Sequence, residues 1–131
     1  MIAVDASAVL SVLLGEPDAQ SFEAVLAARG GVMSAVNYWE LLVRAQTAVG
    51  DRGRDLAEGL LSQLGVSVAP VDAAIARAAA AVFERFGKGS GSGARLNLGD
   101  CFAYALAQRE GDGLLFKGND FAKTDIKSAV P

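Results

Sequence analysis

An α/β fold, a layered sandwich around a parallel sheet of roughly four to five short strands, is what this sequence predicts. Short apolar runs at residues 2–4, 32–33, 66–68 and 114–116 alternate with longer segments of helical periodicity. Strands that run parallel need crossovers, and the helical segments supply them. The 131 residues are 52% hydrophobic and 21% charged, as expected of one soluble domain over 1-131 with a proper core.

The elements follow in order. Residues 2–4 are a strand ending at Asp5, and residues 6–14 form a helix that stops at Gly15. Pro17 suits the first turn of a second helix, with Ala19, Phe22 and Leu26 as its apolar stripe and Gly30-Gly31 as its end. Val32 and Met33 give the second strand. Ser34 then caps a third helix, in which Ala35, Trp39, Leu42 and Val43 are expected to face the core. Glu40, between Val36 and Val43 at helical spacing, falls at the edge of that stripe. After a turn at 50–53, Leu56, Leu60, Leu61 and Leu64 mark a helix that is apolar on one side only.

Residues 66–68, backed by Pro70, form a third strand, and Asp72 caps an alanine-rich helix over 73–86. Its expected buried side is Ile75, Ala79, Val82, Phe83 and Phe86. The Gly87-Lys88-Gly89-Ser90-Gly91-Ser92-Gly93 run is a flexible loop by composition, and it lacks the spaced glycine frame of a phosphate-binding P-loop. The helix that follows, from Leu96 through Ala107, is apolar nearly all round and is therefore expected to be buried. Residues 114–116 read as a buried strand, Lys117-Gly118-Asn119-Asp120-Phe121 as turn chemistry, and the chain closes in a short strand or tail to Pro131.

Composition narrows the chemistry. With no histidine, the usual zinc sites and every imidazole-based mechanism are excluded. A single cysteine, Cys101, forbids an internal disulfide and suits a small apolar core residue in a reducing compartment. No basic leader precedes the first strand, and no apolar run approaches the ~20 residues that span a bilayer, so a cytoplasmic protein with no membrane partner is expected. The net charge of −3 does not exclude a nucleic-acid partner, because acidic ligands that hold cations reverse their own local sign.

Any acid, base or metal work therefore falls to carboxylates. Asp5 follows the first strand, where open α/β sheets place their chemistry, although an N-cap explains it too. Asp100 lies three positions after the N-cap Asn97, as in a capping box. At the mouth of a buried helix, however, its charge needs an arginine, a lysine or a metal ion. Glu40 has Arg44 as an alternative partner one turn on. Asp120 is a turn residue or a site residue. All of these can converge at the carboxyl edge of the sheet, where a histidine-free carboxylate cluster describes a Mg²⁺ or Mn²⁺ site. Ser7 and Asn97 are supporting candidates, and Arg95 and Lys117 are candidate phosphate contacts; a solvated Arg95 is the plainer reading.

The pattern resembles a known family, the PIN-domain ribonucleases, and among them the VapC-type toxins of bacterial toxin–antitoxin pairs. The resemblance runs along the whole chain through Val4-Asp5-Ala6-Ser7-Ala8, Gly15-Glu16-Pro17, Glu40, Arg95-Leu96-Asn97-Leu98-Gly99-Asp100-Cys101-Phe102-Ala103-Tyr104-Ala105, Leu115-Phe116-Lys117-Gly118-Asn119-Asp120-Phe121 and Thr124-Asp125-Ile126. It implies a PIN-like three-layer α/β/α sandwich and a metal-dependent endoribonuclease with Asp5, Glu40, Asp100 and Asp120 as its acidic quartet. Mg²⁺, with Mn²⁺ able to substitute, would be held mainly by Asp5 and Asp100. A cognate antitoxin is implied as partner, with an arginine able to enter the acidic pocket in place of metal. A homodimer and a larger hetero-oligomer with the antitoxin are expected as well.

Two other readings compete. In a receiver-like signalling domain acidic residues also hold Mg²⁺ and a late lysine, here Lys117, contacts a phosphorylated aspartate; but Asp5 is single where receivers carry a pair. An inactive binding module on the same fold would keep the carboxylates and cleave nothing.

Overall fold

The computed structural model describes residues 1–130. The strands β1 (Ala3–Val4), β2 (Gly31–Ser34), β3 (Val66–Ala69) and β4 (Leu114–Leu115) form one parallel sheet in the order β3-β2-β1-β4. Helices α1 (Ala6–Leu13) and α2 (Ala19–Arg29) connect β1 to β2, and α3 (Ala35–Val49) and α4 (Gly53–Leu64) connect β2 to β3. The last crossover, into β4, is made by α5 (Ala73–Phe86) and α6 (Leu98–Glu110).

The alternation of side chains along each strand divides the core in two. Ile2, Val4, Met33 and Leu115 point to the face covered by α1 to α4, and pack with Val9, Phe22, Leu26, Leu41 and Leu61. Ala3, Val32 and Leu114 point to the other face and pack with Ile75, Val82, Cys101, Tyr104 and Leu106 of α5 and α6. Covered on both faces, the sheet is the middle of a three-layer α/β/α sandwich, as the sequence predicts. The order also places β2 on one side of β1 and β4 on the other. The first two crossovers thus run outward on one side of β1 and the last returns past it to the other, which leaves a crevice at its carboxyl end.

Several expectations are corrected. On α3 the stripe that enters the core is Asn37, Leu41 and Ala45, while Trp39 is 64% exposed and Val43 is 43% exposed. The polar Asn37 hides the true register from a hydrophobicity reading. Phe83 is also exposed; it lies against Gly87 and beside an apolar hollow between α5 and α6. Pro17 stands outside α2, in the turn before Asp18, where Ala19 N–H reaches back to the Glu16 carbonyl. Leu14 is the C-cap of α1 rather than its last residue, and Phe116 lies beyond the end of β4. The expected closing strand is a single parallel bridge between Ser128 and Leu114, and Pro131 lies outside the described residues. The glycine-serine loop is pinned at its base by Leu96 N–H to the Phe86 carbonyl and Lys88 N–H to the Leu96 carbonyl.

Candidate active site

Asp5 leaves β1 as the N-cap of α1: its Oδ2 accepts from Ser7 N–H at 3.0 Å. Ser7 then accepts on its Oγ from Lys117 N–H at 3.0 Å, which ties the end of β4 to the start of α1. On the opposite flank, Asn97 and Asp100 form a reciprocal capping box. Asp100 N–H donates to Asn97 Oδ1 at 2.9 Å, and Asn97 N–H donates to Asp100 Oδ2 at 3.1 Å. Both carboxylates are thus anchored at positive helix ends. Ser34 starts α3 in the same way, accepting from Val36 N–H, and carries Glu40 to the crevice one and a half turns later.

These groups converge. A polar hollow of about 310 Å³ is lined by Asp5, Ser7, Leu10, Glu16, Glu40, Arg44, Asn97, Asp100, Lys117 and Asp120. Asp5 and Asp100 are each 8% exposed, whereas Asp120 stands at the exposed rim. Burial pushes the Asp100 carboxyl up to about 7, and the charges of Asp5, Asp120 and Glu40 add to the rise, against the bond from Asn97. Burial likewise raises Asp5, with Ser7 and Arg44 opposing, and raises Glu40, with its bond from Asn37 opposing. Carboxylates that resist one another's ionisation in this way are relieved by a cation between them.

The donor set is all oxygen, which suits a hard divalent ion. Among the described residues no group of three His, Cys, Asp or Glu side chains could hold an ion by itself. Mg²⁺ fits that arrangement, because it binds through one or two carboxylates and keeps most of its waters. Asp5 and Asp100, the two buried carboxylates, are the pair that would hold it.

Sequence reasoning missed part of the site. Glu16 lines the hollow and pairs with Lys117 Nζ at 2.9 Å, so that Lys117 is held at the rim and Glu16 is pulled below its ordinary value. Arg44, read only as a local partner of Glu40, lines the same hollow. Gly99 lies against the Glu40 carboxylate so closely that a Cβ there would stand 2.2 Å from its Oε2. Arg95 is the predicted residue that the fold keeps apart: in a left-handed backbone conformation (φ 59°), it lines an open hollow with the glycine loop.

Three comparisons with known proteins bear on this geometry. The PIN domain family model matches residues 2–127. Ribonuclease VapC42 of Mycobacterium tuberculosis is 45% identical over 127 residues, which cover 96% of this chain and 97% of that protein. Ribonuclease VapC30 of the same organism is 40% identical over 128 residues, 97% of each chain. Ribonuclease VapC of Mycolicibacterium smegmatis is 39% identical over 124 residues, 94% of this chain and 95% of the other. Among solved structures, the fold superposes on Mycobacterium tuberculosis VapC20, described as a Sarcin-Ricin loop cleaving toxin, with a TM-score of 0.79 at 16% identity and full coverage of both chains. A receiver-like assignment finds no support in these matches.

Proposed function

Because this chain belongs to the PIN domain family, in its VapC branch, we propose that it is a metal-dependent endoribonuclease, the toxin of a toxin–antitoxin pair. The observation that carries the proposal is the convergence of Asp5, Glu40, Asp100 and Asp120 on one polar hollow in a chain without histidine. In this reading Asp5 and Asp100 bind Mg²⁺ or Mn²⁺ directly, Glu40 orients a water or supports a second ion, and Asp120 completes the cluster from the rim. What Mg²⁺ supplies when bound is a water of lowered pKa and positive charge beside the phosphate oxygen that gains charge during in-line attack. Lys117 and Arg44 offer cationic groups to the neighbouring phosphates, while Ser7 holds the Lys117 backbone in place. Arg95 stands with the glycine loop, away from the acidic hollow, and is outside this scheme.

The proposal includes three partners: RNA, a cognate antitoxin that silences the site, and a second copy of the chain. Apolar surface supports the protein contacts. Trp39, Phe83 and Leu98 are 64%, 47% and 68% exposed, and a shallow hollow on α2 is lined by Ala24, Val25, Ala28 and Val130. A homodimer in the free toxin, a larger hetero-oligomer with antitoxin, and a cytoplasmic location complete the reading. No helix among the described residues is long and apolar enough to cross a membrane. Total RNA incubated with the purified chain, with Mg²⁺ or with EDTA, and mapped for new ends, tests it. Cleavage at defined positions only with Mg²⁺ is expected; Mg²⁺ binding without cleavage would make the chain an inactive binding module.

A further inference from the structure

Asn37 is the one core position of α3 that packing does not account for. It is 0% exposed and shares its stripe with Leu41 and Ala45, where an apolar side chain would need no partners. Its Nδ2 donates to Glu40 Oε1 at 2.8 Å and to the Gly99 carbonyl at 3.0 Å. Both neighbours are acceptors, so the amino group has to face them and the orientation of the amide is fixed. Its Oδ1 is buried with no partner. A buried acceptor left unmatched costs about 1–3 kcal/mol, so as a core residue alone Asn37 is a loss.

The two donated bonds identify what offsets it. One amide joins α3 to the first turn of α6 and sets the Glu40 carboxylate at their junction, facing the hollow that also holds Asp5 and Asp100. Against the same carboxylate stands Gly99, where a Cβ would lie 2.2 Å from Oε2 and 2.4 Å from Oε1. A glutamate side chain at a half-exposed position samples many rotamers. This one is held between a buried amide and a bare glycine.

We infer that Asn37 is a positioning residue that, with the space left by Gly99, fixes the Glu40 carboxylate in the cation-holding geometry of the hollow. The inference rests on the nuclease reading above.

The experiment compares the full-length wild type with Asn37→Leu, which keeps the branched four-atom shape of the side chain and removes both donated bonds. Its readouts are Mn²⁺ binding by calorimetry, thermal melting with EDTA, and the Mg²⁺ dependence of RNA cleavage. Expected for Asn37→Leu are Mn²⁺ affinity weaker by about tenfold, the low end for partners of metal-binding side chains, and a matching rise in the Mg²⁺ needed for half-maximal cleavage. Cleavage should recover at high Mg²⁺, and the metal-free melting temperature should change little, because the oxygen orphaned in wild type is gone while the Gly99 carbonyl and the Glu40 carboxylate lose a donor. A merely structural role gives the reverse, a lower melting temperature and an unchanged Mn²⁺ midpoint; Leu41→Ala, on the same buried stripe, serves as that control. If Asn37→Leu does not fold, Gly99→Ala presses on the same carboxylate and should weaken Mn²⁺ similarly. In a Glu40→Ala background, Asn37→Leu should cause no further loss of Mn²⁺ affinity. A wild-type Mn²⁺ midpoint in the folded variants, or full additivity with Glu40→Ala, overturns the inference while leaving the nuclease reading intact. A wild type that neither binds Mn²⁺ nor cleaves RNA overturns both.

Discussion

Replacing Asp100 by Asn separates a charge cluster from a simple helix cap, because the two roles answer oppositely to pH and to metal. Burial first, then the charges of Asp5, Asp120 and Glu40, raise the Asp100 carboxyl from 3.8 to about 7. The folded value lies above the unfolded one. The stability contributed by the neutral acid is therefore fully present below pH 3.8 and is lost as pH rises through about 7. A rise of that size has an upper limit of about 4 kcal/mol, and water in the open hollow screens it to about 1–2 kcal/mol. Asn retains an oxygen for the Asn97 N–H but gives up the charge–dipole attraction, about 0.3–1 kcal/mol. At pH 8 in EDTA, Asp100→Asn should therefore be more stable than wild type by about 0.5–1 kcal/mol, or ~2–5 °C in melting temperature. At pH 4 that advantage should vanish. Saturating Mg²⁺ should reverse the order: wild type gains about 1.4–2.7 kcal/mol at 10 to 100 times the dissociation constant, and the variant gains less. Melts of both proteins at the two pH values, with and without Mg²⁺, read all of this, alongside an RNA cleavage assay in which the variant is inactive. An Asn variant that is less stable at pH 8, responds to Mg²⁺ as wild type does and still cleaves RNA refutes the reasoning.

Three further outcomes are expected. Glu16→Gln releases Lys117 from its 2.9 Å ion pair and should lower the KM for RNA, while Lys117→Ala should raise it and flatten the salt dependence of binding by about 0.7 in log–log slope. Cys101 is 3% exposed, and burial, with the Asp100 charge beside it, pushes its thiol from 9.0 up to about 11, so iodoacetamide at pH 8 should label the native protein about a hundredfold more slowly than the urea-unfolded chain. The buried Tyr104 hydroxyl donates to Asp125, which also pairs with Arg85 at 3.2 Å, so Tyr104→Phe should cost about 1 kcal/mol in denaturant melts near neutral pH. Tyr104 first, and Arg85 after it, hold Asp125 below 3.8; that contribution is present above pH 3.8 and is lost as pH falls through the depressed value, so the two proteins should converge in acid.

Much of the fold was legible because strand and helix periods differ and the breaks fall at glycine or proline. The apolar runs that became β1 to β4 and the capped starts at Asp5, Ser34, Asp72 and Asn97 all appear at the expected places. The α3 face was misread because hydrophobicity assigns Trp39 inward and Asn37 outward. Two acceptors make a buried amide acceptable there: Glu40, one turn on in the same helix, and the Gly99 carbonyl of α6, and nothing local announces the second. Glu16 escaped notice for a related reason: its partner is Lys117, on the far end of the chain, and no spacing rule links the two. The Gly99 contact had a visible signal in the glycine directly before Asp100, in an otherwise apolar helix start. Helix propensity treats that glycine as a weakness; the close approach of Glu40 shows what the missing side chain makes room for.

The opposition between cap and ligand, natural when the sequence is read alone, dissolves in the structure. Asp5 caps α1 and Asp100 completes the box at the start of α6, and both line the acidic hollow through the same carboxylates. The coincidence has a physical reason. Carboxylates gathered in a half-buried crevice repel one another, and in the metal-free chain the groups that offset the repulsion without filling the crevice are backbone N–H donors at helix starts. Each anchored carboxylate spends one oxygen on its cap: Oδ2 of Asp5 receives Ser7 N–H, and Oδ2 of Asp100 receives Asn97 N–H. That leaves the other oxygen of Asp100 for a cation or its waters, while the Ser7 side chain also reaches the Asp5 carboxylate. Glu40, on a helix interior, has no such donor available from its own backbone, and the side-chain amide of Asn37 stands in for one. The same requirement, a donor that fixes the carboxylate and leaves an oxygen over, is thus met by two helix ends and one buried asparagine.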